Sequence, residues 1–204
     1  MAYSSGAIQL IKNKFYNLKW HEVYDFIEFF LNEFQISHKK DFIENLNKIF
    51  EEERAPYRII EDLITPLTSE EEIEEIKKSL GIPDQYQPAR NHLKKALEFY
   101  SKRPDPKPKK AIEESILALE ALARIITGKE SATLVDLTKE LPLHPALREG
   151  LNKIYGWTSD EGGIRHAEKQ YPPISAGGEE ARFMLVLSSA FVNYIIAKYE
   201  KSKS

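Results

Sequence analysis

Between residues 110 and 127 apolar side chains return in alternating steps of four and three: Ile112, Ile116, Leu119, Ala123 and Ile126. At about 100° per residue, only an α-helix brings those positions onto one side. Steps of four and three also make a seam suited to packing on a neighbouring helix. The same period runs through residues 19–34, "KWHEVYDFIEFFLNEF", with Val23, Phe26, Ile27, Phe30 and Leu31 on one face. It recurs over 39–53, with Phe42, Leu46, Ile49 and Phe50. Of the 204 residues 42% are hydrophobic, enough to bury a core, so the pattern predicts helices packed on helices.

Nine glycines and eleven prolines punctuate this pattern clearly because they are clustered. "TSEEEIEEIKKSLG" reads as a helix with Ser69 as N-cap, acids in the first turn, lysines in the last and Gly81 as C-cap. Residues 89–101 form another, stopped by the prolines of "SKRPDPKPKK", which make a stiff connector. The helix over 110–127 ends at Gly128. Shorter helices follow over 133–140 and 145–155, the latter opened by Pro145 and closed by Gly156. A final helix spans 178–200. The one departure from helical spacing is "PYRIIEDLITPL", residues 56–67, bounded by Pro56 and Pro66 with Glu61-Asp62 at its centre. Its β-branched residues predict a two-stranded hairpin, although Glu-Asp replaces the usual Asn-Gly at the turn. The expected fold is therefore all-α, a helical bundle with a small β-hairpin in the N-terminal module. "GIPDQYQP" marks the boundary between modules 1–85 and 86–204.

Charge and composition exclude several functions. The net charge of −3 offers no global field for nucleic acid, so any such contact needs a local patch. The absence of cysteine removes disulfides, thiolate catalysis and thiolate metal sites, and fits a reducing cytosol. "MAYSSGAIQLIKNKF" lacks a secretory pattern, so a cytoplasmic protein is expected. The apolar run "FMLVLSSAFVNYIIA", residues 183–197, is shorter than the ~20 residues of a membrane span and contains Ser188, Ser189 and Asn193. It reads as a helix buried in the core, against a partner subunit, or both, with no membrane partner. The acidic runs 51–53 and 70–75 read as solvated helix ends. The five histidines show no HxxH or HExxH spacing, and neither a P-loop nor a GxSxG elbow is present. No metal site and no cofactor are expected.

One stretch stands apart, "WTSDEGGIRHAE", residues 157–168. A local turn accounts for much of it, with Thr158, Ser159 and Asp160 as capping residues and Gly162-Gly163 free to take positive φ. A chemical reading is also open. A neutral imidazole, His166, takes a proton from a ribose hydroxyl near neutral pH. A guanidinium, Arg165, holds a phosphate and the charge of its transition state. Arg165 directly precedes His166, and neighbouring side chains on a helix diverge by about 100°. Arg90-Asn91-His92 offers similar residue types and is read as packing. Lys102, Arg103, Lys107, Lys109 and Lys110 form the only dense basic strip. It is either a solvated linker or a surface facing RNA, and no aromatics interleave it for base stacking. Glu120 and Arg124 lie one turn apart beside the helical seam, as an i,i+4 pair or as cleft residues.

From residue 86 on, "AIEESILALEALARIITGK", "LHPALREGLNKIYGWTSDEGGIRHA" and "EEARFMLVLSSAFVNYII" resemble the HEPN-like domains of bacterial abortive-infection proteins. Upstream, "FIENLNKIFEEERAPYRIIEDLITPLTSEEEIEEI" is similar to the AbiJ N-terminal-like module that precedes such domains. The resemblance implies a bundle that forms a homodimer through its C-terminal part, with two copies of a motif sharing one cleft. It implies phage defence or a toxin–antitoxin system, with an antitoxin or partner protein. The implied activity is endoribonuclease action without metal. In that reading His166 is the acid–base group, Arg165 the phosphate clamp, and Asp160 and Glu120 support them. Arg124, Lys107, Lys109 and Lys110 would contact RNA. HEPN ribonucleases carry an Arg a few residues before the His, a spacing this chain does not reproduce. The alternative is an inactive HEPN scaffold that dimerises and binds nucleotides or protein.

Overall fold

The computed structural model describes residues 5–159 and 177–203. Its elements, in chain order, are α1 (Ser5–Phe15), α2 (Trp20–Glu33), α3 (Lys39–Glu52), β1 (Arg58–Ile60), β2 (Leu63–Thr65), α4 (Glu70–Leu80), α5 (Gln87–Ser101), α6 (Pro108–Thr127), α7 (Leu134–Glu140), α8 (Pro145–Ser159) and α9 (Gly178–Lys203). A 3-10 turn at Asp84–Tyr86 precedes α5. The fold is helical with one antiparallel hairpin. It divides into two compact units: the chain up to Pro66 with Arg103–Asp105, and Leu67–Lys102 with Pro106 onward.

In the first unit Leu31, Phe50, Ile59 and Ile64 are buried together, ringed by Tyr24, Ile27, Ile36, Phe42, Ile43, Leu46, Ala55 and Tyr57. The inward stripe of α2 is therefore Tyr24, Ile27 and Leu31, spaced by three and four. The expected stripe included Phe26, which is 39% exposed. On α3, Ile49 is likewise off the core, at 50% exposure. On both helices the apolar band is wider than the arc that is buried. Helix α1 adds to the expected elements, and its apolar Ile8, Leu10 and Ile11 remain exposed.

The hairpin pairs Arg58 with Thr65, Ile59 with Ile64 and Ile60 with Leu63. Glu61 and Asp62 turn it with φ of 47° and 66°, both left-handed, the type I′ geometry that matches strand twist. Two strands leave two open edges, whose backbone groups need partners when buried. Side chains supply them. Asn47 of α3 accepts from the Ile59 N–H at 2.7 Å and donates to the Ile59 carbonyl at 3.2 Å. On the other edge, Glu28 of α2 accepts from the Ile64 N–H and Arg103 donates to the Ile64 carbonyl. Arg103 pairs with Glu28 at 2.7 Å and Asp25 at 3.1 Å and stacks over the Tyr24 ring, with its side chain 5% exposed.

In the second unit α5 and α6 form a hairpin, and α9 packs on α6, α4 and α5. Ala111, Ile112, Ile116, Leu119, Leu122 and Ala123 of α6 are buried, as are Met184, Leu185, Val192 and Ile195 of α9. Ser69 caps α4 by accepting from the Glu72 N–H, and Gly128 ends α6 at φ 69°, as the sequence predicts. Helix α9 is long and apolar enough to cross a membrane, but half of its apolar window is buried inside the protein. It is also tied to α4 by polar bonds. Arg182 forks onto Glu72 at 2.6–3.2 Å, and Asn193 donates to the Glu75 carboxylate and carbonyl. At its C-terminal end, Tyr86 donates to Glu200, and burial together with that carboxylate pushes the phenol pKa up. Helix α8 continues through Gly156 to Ser159 instead of stopping there. Glycine costs a helix only about 1 kcal/mol, which surrounding packing overrides.

Glu61 carries a Cβ at φ 47°, so Glu61→Asn should raise stability by roughly 0.5–1 kcal/mol in urea unfolding. Arg103→Ala should lower the stability of the first unit by about 2 kcal/mol, since it strands partly buried Glu28 and an Ile64 carbonyl. Hydrogen exchange at the Ile64 amide should accelerate in parallel.

Candidate functional site

The chemistry singled out in the sequence falls on three places. Asp160, Arg165 and His166 lie outside the described residues. They follow α8 directly in the chain, and the other residues belong to the elements around α6.

Glu120 sits on α6 beside buried Leu119 and Ala121, so its carboxylate is only 12% exposed. Arg124, one turn on, donates to one carboxylate oxygen at 3.3 Å, and Tyr155 of α8 donates to the other at 2.8 Å. Arg124 is 41% exposed, so its charge reaches solvent while it steadies the acid. Thr158, fully buried, donates to the Tyr155 carbonyl and tightens the last turn of α8. Trp157 of that same turn meets Phe183 of α9 edge-on at 6.3 Å. Glu120 therefore holds the C-terminal end of α8 through Tyr155, and it is an anchor more than an open acid. Tyr155 was not singled out in the sequence. Thirty-five residues separate it from Glu120, and no local spacing signals such a pair.

A shallow groove of about 520 Å³ runs along the other side of α8, lined by Pro145, Arg148, Glu149, Asn152, Lys153 and Gly156. Glu149 and Lys153, one turn apart on α8, pair at 2.8 Å, which lowers the Glu149 pKa and raises that of Lys153. Thr138 donates to Asn152 from α7.

The basic strip does not act as one body. Arg103 is buried in the first unit and ion-paired, so it is withdrawn from any surface role. Lys107 donates its backbone N–H to the Phe99 carbonyl where α6 begins, Lys110 lies over the Phe99 ring at 5.4 Å, and Lys109 is exposed. Arg90 clamps Asp84 at 2.8 Å and the Ile82 carbonyl, fastening the 3-10 turn to α5. His92, two residues on, meets Glu114 of α6 through Nδ1 at 2.6 Å, with side chains 26% and 17% exposed. This interhelical His–carboxylate pair joins α5 to α6. Among the described residues, no three His, Asp or Glu side chains gather to hold a metal ion.

Removing the hydroxyl in Tyr155→Phe should cost about 1 kcal/mol in thermal unfolding. Glu120→Ala should cost more, because it leaves the Tyr155 hydroxyl without this acceptor.

Neither a curated protein nor a solved structure matches the chain. A family model does match: AbiJ N-terminal domain 4, over residues 2–81. The matched stretch runs through the hairpin and includes α4, which packs on α9 in the second unit. The N-terminal part of this chain is thus an AbiJ-like module, and abortive infection is the setting that similarity indicates.

Proposed function

We propose that the chain is an abortive-infection protein of HEPN type whose C-terminal bundle cleaves RNA as a homodimer without a metal ion. In this reading His166 takes the 2′-hydroxyl proton, and O2′ bonds to the adjacent phosphorus. The bond from phosphorus to O5′ breaks, and the leaving oxygen takes up a proton, from His166 or its dimer mate. The products are a 2′,3′-cyclic phosphate and a 5′-hydroxyl. Arg165 neutralises the extra charge on the phosphorane. Glu120 is a positioning residue, acting through Tyr155 on the end of α8. Asp160 stands in the same supporting role.

The observation that carries the reading is the AbiJ-type match over residues 2–81 joined to a helical bundle bearing "SDEGGIRHA". Support comes from the anchor on α8, since Glu120 and Tyr155 hold the helix that leads directly into that phrase. The second reading, a HEPN scaffold without catalysis, rests on the adjacency of Arg165 and His166.

Induced expression should arrest growth, and His166→Ala or Arg165→Ala should relieve the arrest. The purified protein should cleave single-stranded RNA equally well in chelator and leave cyclic phosphate ends. Toxicity that both variants retain, or cleavage abolished by chelation, would sink the catalytic reading.

A further inference from the structure

The turn between α1 and α2 carries a surface that the candidate chemistry does not use. Its residues read "KNKFYNLKWH", 12–21, with aromatic and cationic side chains interleaved. Tyr16 is 81% exposed and Trp20 57%. Trp20 is not loose. Its ring stacks on Tyr57 at 6.5 Å and meets Tyr24 and His21 edge-on at 6.3 and 5.4 Å. The ring is therefore held from within the unit while more than half of the residue faces solvent.

The charge beside these rings is mainly positive, with Glu22 the carboxylate bonded next to Trp20. Lys12, Lys14 and Lys19 are all exposed, and no acid occurs from Ser5 to His21. The nearest carboxylates are already engaged. Glu22 accepts from the Lys19 N–H at 2.6 Å, while Asp25 and Glu28 hold Arg103. In a chain of net charge −3 this stretch is locally cationic and carries open aromatic rings. It has the interleaving that the Lys102–Lys110 strip lacks.

We propose that the α1–α2 corner binds single-stranded nucleic acid, with Tyr16 and Trp20 as base-stacking platforms and Lys12, Lys14 and Lys19 as phosphate contacts. Every base offers a face to an open ring, and the backbone supplies the negative charge that three exposed lysines attract. A second copy of the chain is the weaker fit, since self-docking there would bring six lysines together with no carboxylate between residues 5 and 21. The proposal is independent of cleavage, because it rests only on the first unit.

The test is fluorescence anisotropy of the full chain carrying His166→Ala, titrated into labelled 12-nucleotide RNA and DNA of mixed sequence, single-stranded and duplex. Single strands should bind more tightly than duplex, and the RNA and DNA arms show which sugar is preferred. Tyr16→Ala and Trp20→Ala should each weaken binding about tenfold, and Tyr16→Phe should not. Replacing all three lysines by Gln should flatten the salt dependence of log affinity by about 2. Tyr16 is nearly fully exposed, so its variant reports on binding even where Trp20→Ala disturbs folding. Affinities unchanged in Tyr16→Ala would overturn the proposal. So would sedimentation showing that the two rings support a dimer while no oligonucleotide binds.

Discussion

A two-stranded sheet has no interior strand, so every outward backbone group on it must find a partner elsewhere. In the first unit that requirement organises the surrounding helices. Asn47 treats the edge of β1 as a third strand would, donating and accepting at Ile59. Glu28 and Arg103 do the same for β2 at Ile64, one supplying the acceptor and the other the donor. Because those two are also an ion pair, each orients the other, and neither is left as an isolated charge. The register of the hairpin, the rotation of α2 and α3 about their axes, and the burial of Ile59 and Ile64 all follow from these contacts. Helix–hairpin packing by apolar area alone would leave the backbone unsatisfied.

The second unit solves a different problem, how to seat an apolar helix uniquely. Helix α9 is hydrophobic around most of its circumference, and apolar contact is non-directional. Arg182 on Glu72, Asn193 on Glu75 and Tyr86 on Glu200 add direction, setting the rotation and axial position of α9 against α4 and the 3-10 turn. The same bonds explain why a run passing for a membrane span by composition serves here as a core helix. Arg182 and Asn193 have partners on α4, whereas the buried hydroxyls of Ser188 and Ser189 have none.

Polar groups in this chain mostly hold elements together. Glu120 secures α8, His92 and Glu114 join α5 to α6, Arg90 fastens a turn, and Arg103 closes a sheet edge. What remains open to a ligand is narrower than the sequence suggested. Among the described residues it includes Lys109, the solvent side of Arg124, the groove along α8 and the aromatic corner of the first unit.

Short-range information in the sequence was enough to locate most helices, the caps at Ser69 and Gly128, and the hairpin with its turn at Glu61-Asp62. Periodicity, capping and turn chemistry act within a few residues, so they are legible without a fold. Helix α1 escaped because its few apolar residues stay exposed and mark no buried face, and α8 outran Gly156 because packing outweighed a small propensity cost. The sequence also carried the AbiJ likeness of the first module. It did not reveal which charges are spent. Arg103 read as part of a basic strip, yet it is buried against carboxylates up to 78 residues away, and Tyr155 gave no hint that it holds Glu120. Such pairings depend on which helices become neighbours, and that is decided by the summed burial of whole faces. Only the tertiary structure could show whether a given acid or base was a tether or a group free to act.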